Sequence, residues 1–151
     1  MRDSPVPLVT VPAFLAALRA GALPEGPRAE LLGGRVSPGH TPTPTQMAVI
    51  AHLYAALSRP QVAAAGGLAV VSAAFRLGPG DLLRADLALL RAPGGGRDAG
   101  MVATGVGGSH DPQAAFVVVE LARGRATREE RVPLYAAAGA RELWLLDVAR
   151  G

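Results

Sequence analysis

Runs of apolar residues separated by turn residues give this chain the pattern of a mixed α/β domain. Apolar side chains that recur every three to four positions predict three helices, over residues 11–20, 44–58 and 127–138. Longer apolar runs bounded by Gly, Pro and Asp predict four strands, at residues 66–77, 82–91, 114–121 and 141–148. Together with a short hairpin, this order predicts one mixed sheet with helices packed on it.

The first two elements carry clear boundary residues. Thr10 is placed to cap the first helix, and Gly21 is placed to end it. Residues 29–36, AELLGGRV, predict a hairpin that turns at Gly33-Gly34.

The second helix should begin at a capping box. Thr43 and Gln46 have the spacing at which each side chain caps the other residue's backbone, and a proline stands between them at the first helical position. Four apolar side chains at spacings of three and four predict one buried stripe, formed by Met47, Ile50, Tyr54 and Leu57.

The third helix should connect two parallel strands. Thr127 and Glu130 form a second capping-box pattern, Pro133 should kink the helix or delay its start, and Gly139 should end it. A strand, helix and strand in this order predict a right-handed crossover. Before it, residues 92–112 are Gly-rich and lack periodicity, which predicts a long loop.

Two acids stand inside the apolar runs. Glu120 lies in AAFVVVEL and Asp86 in LLRADLALL, which we interpret as two buried strands. A carboxylate in such a place must be paired, protonated or bound to a metal, because an isolated buried charge is very costly. Two interpretations of these buried acids are possible. They form ion pairs with arginines such as Arg84 or Arg123, or they share a metal site.

Composition narrows the chemistry. All 15 basic residues are arginine, the net charge is +3 and cysteine is absent. Disulfides, thiolate metal sites and any mechanism that needs a lysine are therefore excluded. The modest positive charge permits nucleic-acid binding without requiring it. No stretch has the length and apolarity of a membrane span or the pattern of a signal peptide, so we expect a mature, cytoplasmic chain.

The ordered motifs resemble a family, the putative restriction endonucleases of the PD-(D/E)XK nuclease superfamily. The resemblance spans nearly the whole chain and is most specific in its last part. It rests on an opening helix at 10–15, an E-L-[IL]-x-G hairpin at 30–34, V-x-S-P at 36–38, P-D-[VL]-x-V at 85–89, V-V-E-V at 118–121, and Y-A-x-x-G-V-x-E-Y-W-L-V-D at 135–147.

The resemblance implies an αβββαβ nuclease core formed by residues 1–151 as a single domain. It implies that Asp86 and Glu120 bind Mg²⁺ or Mn²⁺ and that Glu30 is a third catalytic carboxylate. It further implies DNA as substrate and a homodimer. A basic cluster after the second acid would contact phosphates, through Arg123, Arg125 and Arg128.

Several positions depart from the family pattern. The family's lysine is replaced by Arg131, which stabilises phosphate charge but cannot serve as a general base. The family's S-P-S/T segment is 123–125, Arg-Gly-Arg, and the hairpin's second acid is Arg35. Family members usually continue with further strands after the Trp-containing strand, and we expect this domain to lack them.

Two functions therefore remain in view: a Mg²⁺-dependent DNA endonuclease with a degenerate active site, and a non-catalytic nuclease-fold module that binds nucleic acid or a protein partner. A truncated genomic remnant is a third, weaker alternative. Among other candidates, His40 is a loop residue near Glu30, Trp144 is expected in the core or a dimer interface, and His110-Asp111 alone makes no metal site.

Overall fold

The computed structural model describes residues 8–92 and 109–148. The predicted loop at 92–112 lies largely outside this part. The helices within it are α1 (Val11–Arg19), α2 (Pro44–Leu57), α3 (Pro60–Ala64) and α4 (Val132–Ala137). The strands are β1 (Glu30–Leu32), β2 (Arg35–Ser37), β3 (Gly67–Val71), β4 (Ala74–Gly78), β5 (Asp81–Arg84), β6 (Leu87–Arg91), β7 (Ala115–Leu121) and β8 (Leu143–Leu146). None of the helices in these ranges has the length and apolarity needed to cross a membrane.

The strands form two four-stranded sheets, in the orders β2-β1-β5-β4 and β3-β6-β7-β8. The first sheet is antiparallel throughout. In the second, β7 and β8 are parallel and the other pairs are antiparallel. The mixed α/β class and the parallel β7–β8 pair are confirmed. A mixed sheet flanked by helices is confirmed, but the strands are shared between two sheets where the pattern predicted one.

The two sheets arise because one long hairpin, formed by residues 67–91, is interrupted. Both of its arms, β3 with β4 and β5 with β6, break at the same level. β4 pairs with β5 in the first sheet, and β3 pairs with β6 in the second. Ser72, at a φ of 55°, lies between β3 and β4, and Asp86 lies between β5 and β6. The continuous strands predicted at 66–77 and 82–91 are therefore wrong, and Asp86 lies at a break rather than inside a strand.

Backbone hydrogen bonds hold this interruption together. The Ser72 amide donates to the Asp86 carbonyl at 3.1 Å, and the Ala85 amide donates to the Ala73 carbonyl at 2.9 Å. The backbone on both sides of the break is thus held in place at Asp86.

Three apolar clusters support the sheets. α1 covers the first sheet, with Phe14 and Leu18 packed into the same cluster as Leu31 and Leu82. A second cluster, centred on Phe75, Val118 and Tyr135, lies between the interrupted hairpin, β7 and α4. A third lies under α2, against Leu87, Val117 and Val119. Aliphatic residues build most of this core, as the low aromatic content requires.

The first two helices begin where the sequence predicts. Thr10 caps α1, and Gly21 follows its end at a φ of 65°. The capping box of α2 is complete: the Gln46 amide donates to Thr43 Oγ1 at 3.2 Å, and the Thr43 amide donates to Gln46 Oε1 at 2.9 Å. The predicted hairpin at 29–36 is confirmed by β1 and β2.

The predicted buried stripe of α2 is partly wrong. Met47 and Tyr54 are 48% and 43% exposed, whereas Ile50 is buried. Leu57 packs beside the third apolar cluster as predicted, and Leu53, which the predicted stripe did not include, packs there too. Because 50, 53 and 57 are also spaced by three and four, the sequence offered two stripes, and packing against the second sheet selects this one.

The third helix starts earlier than predicted. Thr127 is buried inside it, in a π-helical segment, Thr127–Arg131, that runs directly into α4. The predicted capping box is therefore wrong: Thr127 Oγ1 accepts a hydrogen bond from the Arg123 amide at 2.9 Å. Pro133 stands one residue into α4 and lacks the N–H that a regular α-helix would need, which fits the irregular turn before it.

α4 ends as predicted at Gly139, which has a φ of 83°. Its amide donates to the Ala136 carbonyl at 3.1 Å, and the Ala140 amide donates to the Tyr135 carbonyl at 3.0 Å. This pair of bonds is a Schellman motif. It ends the helix sharply and directs the chain into β8.

Candidate active site

The three acids singled out in the sequence lie at the junction of the two sheets. Glu30 begins β1 of the first sheet, Glu120 lies near the end of β7 in the second, and Asp86 lies in the break of the hairpin. All three are buried. Their charges must be compensated locally, since water does not reach them freely.

Glu120 is fully buried and bound on one oxygen only. Its Oε1 accepts hydrogen bonds from Arg131 Nη2 at 2.9 Å, Arg131 Nε at 3.2 Å and the Tyr135 hydroxyl at 2.9 Å. Its Oε2 is buried and has no hydrogen-bond partner. Burial raises the pKa of Glu120 to about 7, with Arg131 opposing that rise.

Arg131 joins the acids of the two sheets. Besides Glu120, its Nη1 and Nη2 donate to the two carboxylate oxygens of Glu30 at 3.0 and 3.1 Å. Nη2 also donates to the Arg84 carbonyl at 2.7 Å. Burial alone would lower the pKa of Arg131, but the neighbouring carboxylates outweigh it and raise that pKa. The guanidinium therefore keeps its proton and cannot accept one from a water.

Asp86 is held from two directions. Its Oδ2 accepts a hydrogen bond from the Leu121 amide at 2.8 Å, which places this carboxylate beside the residue that follows Glu120. Its Oδ1 forms an ion pair with Arg123 Nη2. Of the two arginines considered as partners for the buried acids, Arg123 thus pairs with Asp86. The charge of Asp86 also contributes to raising the pKa of Glu120.

Arg84 supports Glu30 rather than Asp86. Its backbone amide donates to Glu30 Oε1 at 2.6 Å. Its guanidinium donates to the carbonyls of Ser72 at 3.4 Å and Pro27 at 3.3 Å. Burial lowers the pKa of Arg84, and Glu30 offsets part of that change.

The basic cluster predicted after Glu120 is divided in space. Arg123 turns inward to Asp86, whereas Arg125 and Arg128 are exposed. Arg125 Nε forms a surface ion pair with Glu129 at 3.1 Å. The two exposed arginines are open to a large ligand, and the inner one belongs to the acid cluster.

Two cavities meet at this cluster. The smaller has a volume of about 10 Å³ and includes Glu30, Asp86, His40 and Arg123 in its wall. The larger has a volume of about 220 Å³ and is bounded by Glu30, Arg123, Arg131 and part of the π-helical segment. Glu30 and Arg123 line both, so these two side chains separate the cavities.

The donor set suits a hard divalent cation only in part. Carboxylate oxygens are the ligands Mg²⁺ prefers, and it binds to one or two of them while keeping waters or phosphate oxygens. Glu120 Oε2 has no partner, but Asp86 Oδ1 is engaged by Arg123. Residues 8–92 and 109–148 contain no group of three or more His, Asp and Glu side chains able to surround an ion. Both oxygens of Asp86 are therefore engaged, by Arg123 and by the Leu121 amide, and Oε2 is the oxygen of Glu120 that has no hydrogen-bond partner.

Sequence reasoning missed three contributors. Tyr135 was part of a motif but was not predicted to contact Glu120. Arg84 was considered as a partner of Asp86 or Glu120, whereas its backbone amide binds Glu30. Arg28, which lines the smaller cavity, was not considered. His40, a minor candidate, lies in the wall of the smaller cavity, with its Nε2 3.0 Å from Gln46 Oε1. No local pattern marks these residues, because each acquires its role from a partner distant in the chain.

The remaining candidates lie elsewhere. Trp144 is partly buried in β8, and its Nε1 donates to Glu142 Oε1 at 2.7 Å. Asp111 caps a single 3-10 turn by accepting from the Gln113 amide at 2.8 Å. The imidazole of His110 packs on Phe75, and burial lowers its pKa.

A protein-family model matches most of the chain. The family model described as Uma2, Putative restriction endonuclease, matches residues 12–151. No curated protein matches the chain significantly. The matched range contains all three acids and every arginine that contacts them.

Proposed function

The chain belongs to the Uma2 family of putative restriction endonucleases, and from this we propose that it is a Mg²⁺-dependent DNA endonuclease with a degenerate active site. The reaction is hydrolysis of a phosphodiester. One observation supports this most: Glu30, Asp86 and Glu120 reach a single cluster from two sheets and the break between them.

Asp86 and Glu120 are the proposed ligands of Mg²⁺, or of Mn²⁺ in its place. A cation bound there would polarise a phosphoryl oxygen and lower the pKa of a water. Glu30 acts as the third carboxylate by holding Arg131, with 3.0 and 3.1 Å between their atoms.

Arg131 takes the family's lysine position with different chemistry. Its fixed positive charge would stabilise the charge that develops on the phosphoryl oxygens, while its Nε, Nη1 and Nη2 donate to Glu120 and Glu30. It does not accept the proton of the attacking water, because its pKa is raised further by Glu120 and Glu30 despite burial. We therefore expect cleavage to be slow compared with a nuclease that carries lysine there.

DNA is the proposed substrate, and phosphate contacts would come from Arg123, Arg125 and Arg128. Such contacts give affinity that depends on salt and not on base sequence. We propose that the protein acts as a homodimer in the cytoplasm, where two copies of the site could act on the two strands of a duplex.

Nicking of supercoiled plasmid in Mg²⁺ or Mn²⁺ tests this function. Wild type should cleave, and Asp86→Asn and Glu120→Gln should each reduce the rate by about a hundredfold or more, as losses of catalytic groups often do. Glu25→Gln, which removes an acid outside the cluster, should cleave like wild type. Equal rates in wild type and Asp86→Asn would remove the proposed mechanism.

A second candidate function is a non-catalytic nuclease-fold module that binds nucleic acid or a protein partner. It is favoured by the arginines that already pair with the acids, Arg131 with Glu30 and Glu120 and Arg123 with Asp86. Salt-dependent DNA binding, without cleavage in either metal, would support this candidate over the first.

A further inference from the structure

The smaller cavity beside the acids has a strongly basic wall. Its volume is about 10 Å³, and its lining includes Arg28, Arg84, Arg123 and His40 together with Glu30 and Asp86. A space of this size accommodates about one oxygen atom of a water or a ligand.

Two of these arginines have an unused donor. The Nε atoms of Arg84 and Arg123 are both buried and have no hydrogen-bond partner. Both Nη atoms of Arg84 donate, to the carbonyls of Ser72 and Pro27, and Arg123 Nη2 donates to Asp86. The side chains are thus fixed in place while one N–H of each remains unsatisfied. Buried donors of this kind are rare in folded proteins.

The charge around the cavity favours an anion. Four arginines, including Arg131 behind Glu30, face three acids, so the cluster carries one excess positive charge before any contribution from His40. A cation entering alone would increase that excess, whereas an anionic oxygen would cancel it.

We propose that this cavity is a phosphate subsite, which takes a non-bridging oxygen of a phosphodiester in the nucleic-acid backbone. Arg28, Arg84 and Arg123 would hold that oxygen by their positive charge, with His40 beside them in the wall. The ligand class rests on the proposed function, but binding at this subsite needs neither a metal nor cleavage. Arg123 then links the phosphate to Asp86, because the same guanidinium contacts both.

Binding of a labelled DNA duplex in EDTA, followed by fluorescence anisotropy at several salt concentrations, tests the subsite. Arg84→Gln and Arg28→Gln should each weaken binding by about tenfold and lower the slope of log K against log salt by about one. The matched control is Arg59→Gln, an exposed arginine before α3 whose side chain makes no capping bond, and it should bind like wild type.

Two variants are used because Arg84 also holds the Ser72 and Pro27 carbonyls, so its replacement could loosen the fold. Arg28 is exposed, and its replacement should leave the unfolding midpoint unchanged. Unaltered affinity and salt slope in a folded Arg28→Gln protein, with the same result for Arg84→Gln, would overturn the subsite and leave the cavity to a water.

Competition identifies the ligand. Dimethyl phosphate, a diester, should displace the duplex from wild type, and inorganic phosphate should do so no better. Displacement by inorganic phosphate alone would overturn the assignment to a nucleic-acid backbone. Loss of plasmid cleavage with intact metal-free binding would instead reject the nuclease activity and leave the subsite standing.

Discussion

At the scale of single residues, Arg131 decides both the charge balance and the chemistry of the site. It binds Glu30 and Glu120 together and also satisfies the Arg84 carbonyl. The burial of Glu120 in a β-strand was predictable from the apolar run around it. Its partners were not, because Arg131 and Tyr135 reach Glu120 only through the path of the third helix.

Replacing Arg131 with lysine tests its chemical role. Lysine keeps a positive charge near the acids, and its ammonium can lose a proton when buried. If the site otherwise works as proposed, Arg131→Lys should raise the rate of plasmid nicking by about tenfold or more, within the range of general acid–base contributions. Arg141→Lys, at an exposed position, is the control and should change nothing. A lower rate in Arg131→Lys would show that the bidentate guanidinium matters more than proton transfer.

Glu120 should make stability depend on pH. Burial raises its pKa to about 7 in the folded protein, while an unfolded glutamate titrates near about 4.3. The folded state alone keeps the proton between these values, so this stabilisation is complete below about pH 4.3 and is lost as pH rises through about 7. The total loss is about 4 kcal/mol.

Urea unfolding in EDTA between pH 5 and 8 measures this effect. Glu120→Gln lacks the titrating proton, so the difference in unfolding free energy between wild type and the variant should shift by a few kcal/mol across that interval. His110, whose pKa is lowered by burial, contributes equally to both proteins. Parallel curves would mean that Arg131 holds Glu120 ionised throughout.

At the scale of elements, caps and turns followed the sequence, but strand interruptions did not. Thr43 with Gln46, and Gly139, mark boundaries by local chemistry that needs no tertiary partner. The breaks at Ser72 and Asp86 contain no Gly or Pro. The pattern of apolar residues therefore predicts one continuous strand across each break. The π-helical segment was equally hidden, since Thr127 resembles a cap until its hydroxyl is seen bound to the Arg123 amide.

The end of α4 provides a test at this scale. Gly139→Ala should destabilise the protein by about 1–2 kcal/mol, because a φ of 83° strains an alanine and its Cβ would lie 3.1 Å from Gln113 Nε2. Gly66→Ala is a matched control, since Gly66 has the same φ but nothing within 4 Å of the added Cβ. Chemical denaturation measures the unfolding free energy of both variants, and the difference between their losses gives the effect of the contact with Gln113. Equal losses would show that the destabilisation comes only from the backbone conformation.

At the scale of the whole molecule, the mixed α/β class was predictable because strand and helix periods differ clearly along the chain. The division into two sheets was not predictable, because it depends on which arm of the hairpin each strand finally pairs with. The exposed side of α2 is a further feature of this scale. Met47 and Tyr54 are seven residues apart, which places them on one side of the helix, and both are largely exposed.

The proposed homodimer can be tested on that side of α2. If it forms the interface, Met47→Ser combined with Tyr54→Ser should convert a dimer into a monomer in sedimentation velocity, with the thermal unfolding of the monomer little changed. Ala48→Ser, at an exposed position of the same helix, is the control. A variant that sediments as wild type does would place the interface elsewhere or identify the protein as a monomer.

The guanidinium that bridges β1 and β7 has a consequence for mutational surveys. Removing one member of a buried ion pair leaves the other charge buried without a partner, which typically destabilises a protein by about 3–5 kcal/mol. Substitutions at Glu30, Glu120 or Arg131 should therefore reduce the amount of folded protein. A library of all single substitutions, scored only by cellular abundance, would already highlight these positions. A low abundance of variants at these three positions would show that the ion pairs join the two sheets. It would not by itself show that the protein cleaves DNA.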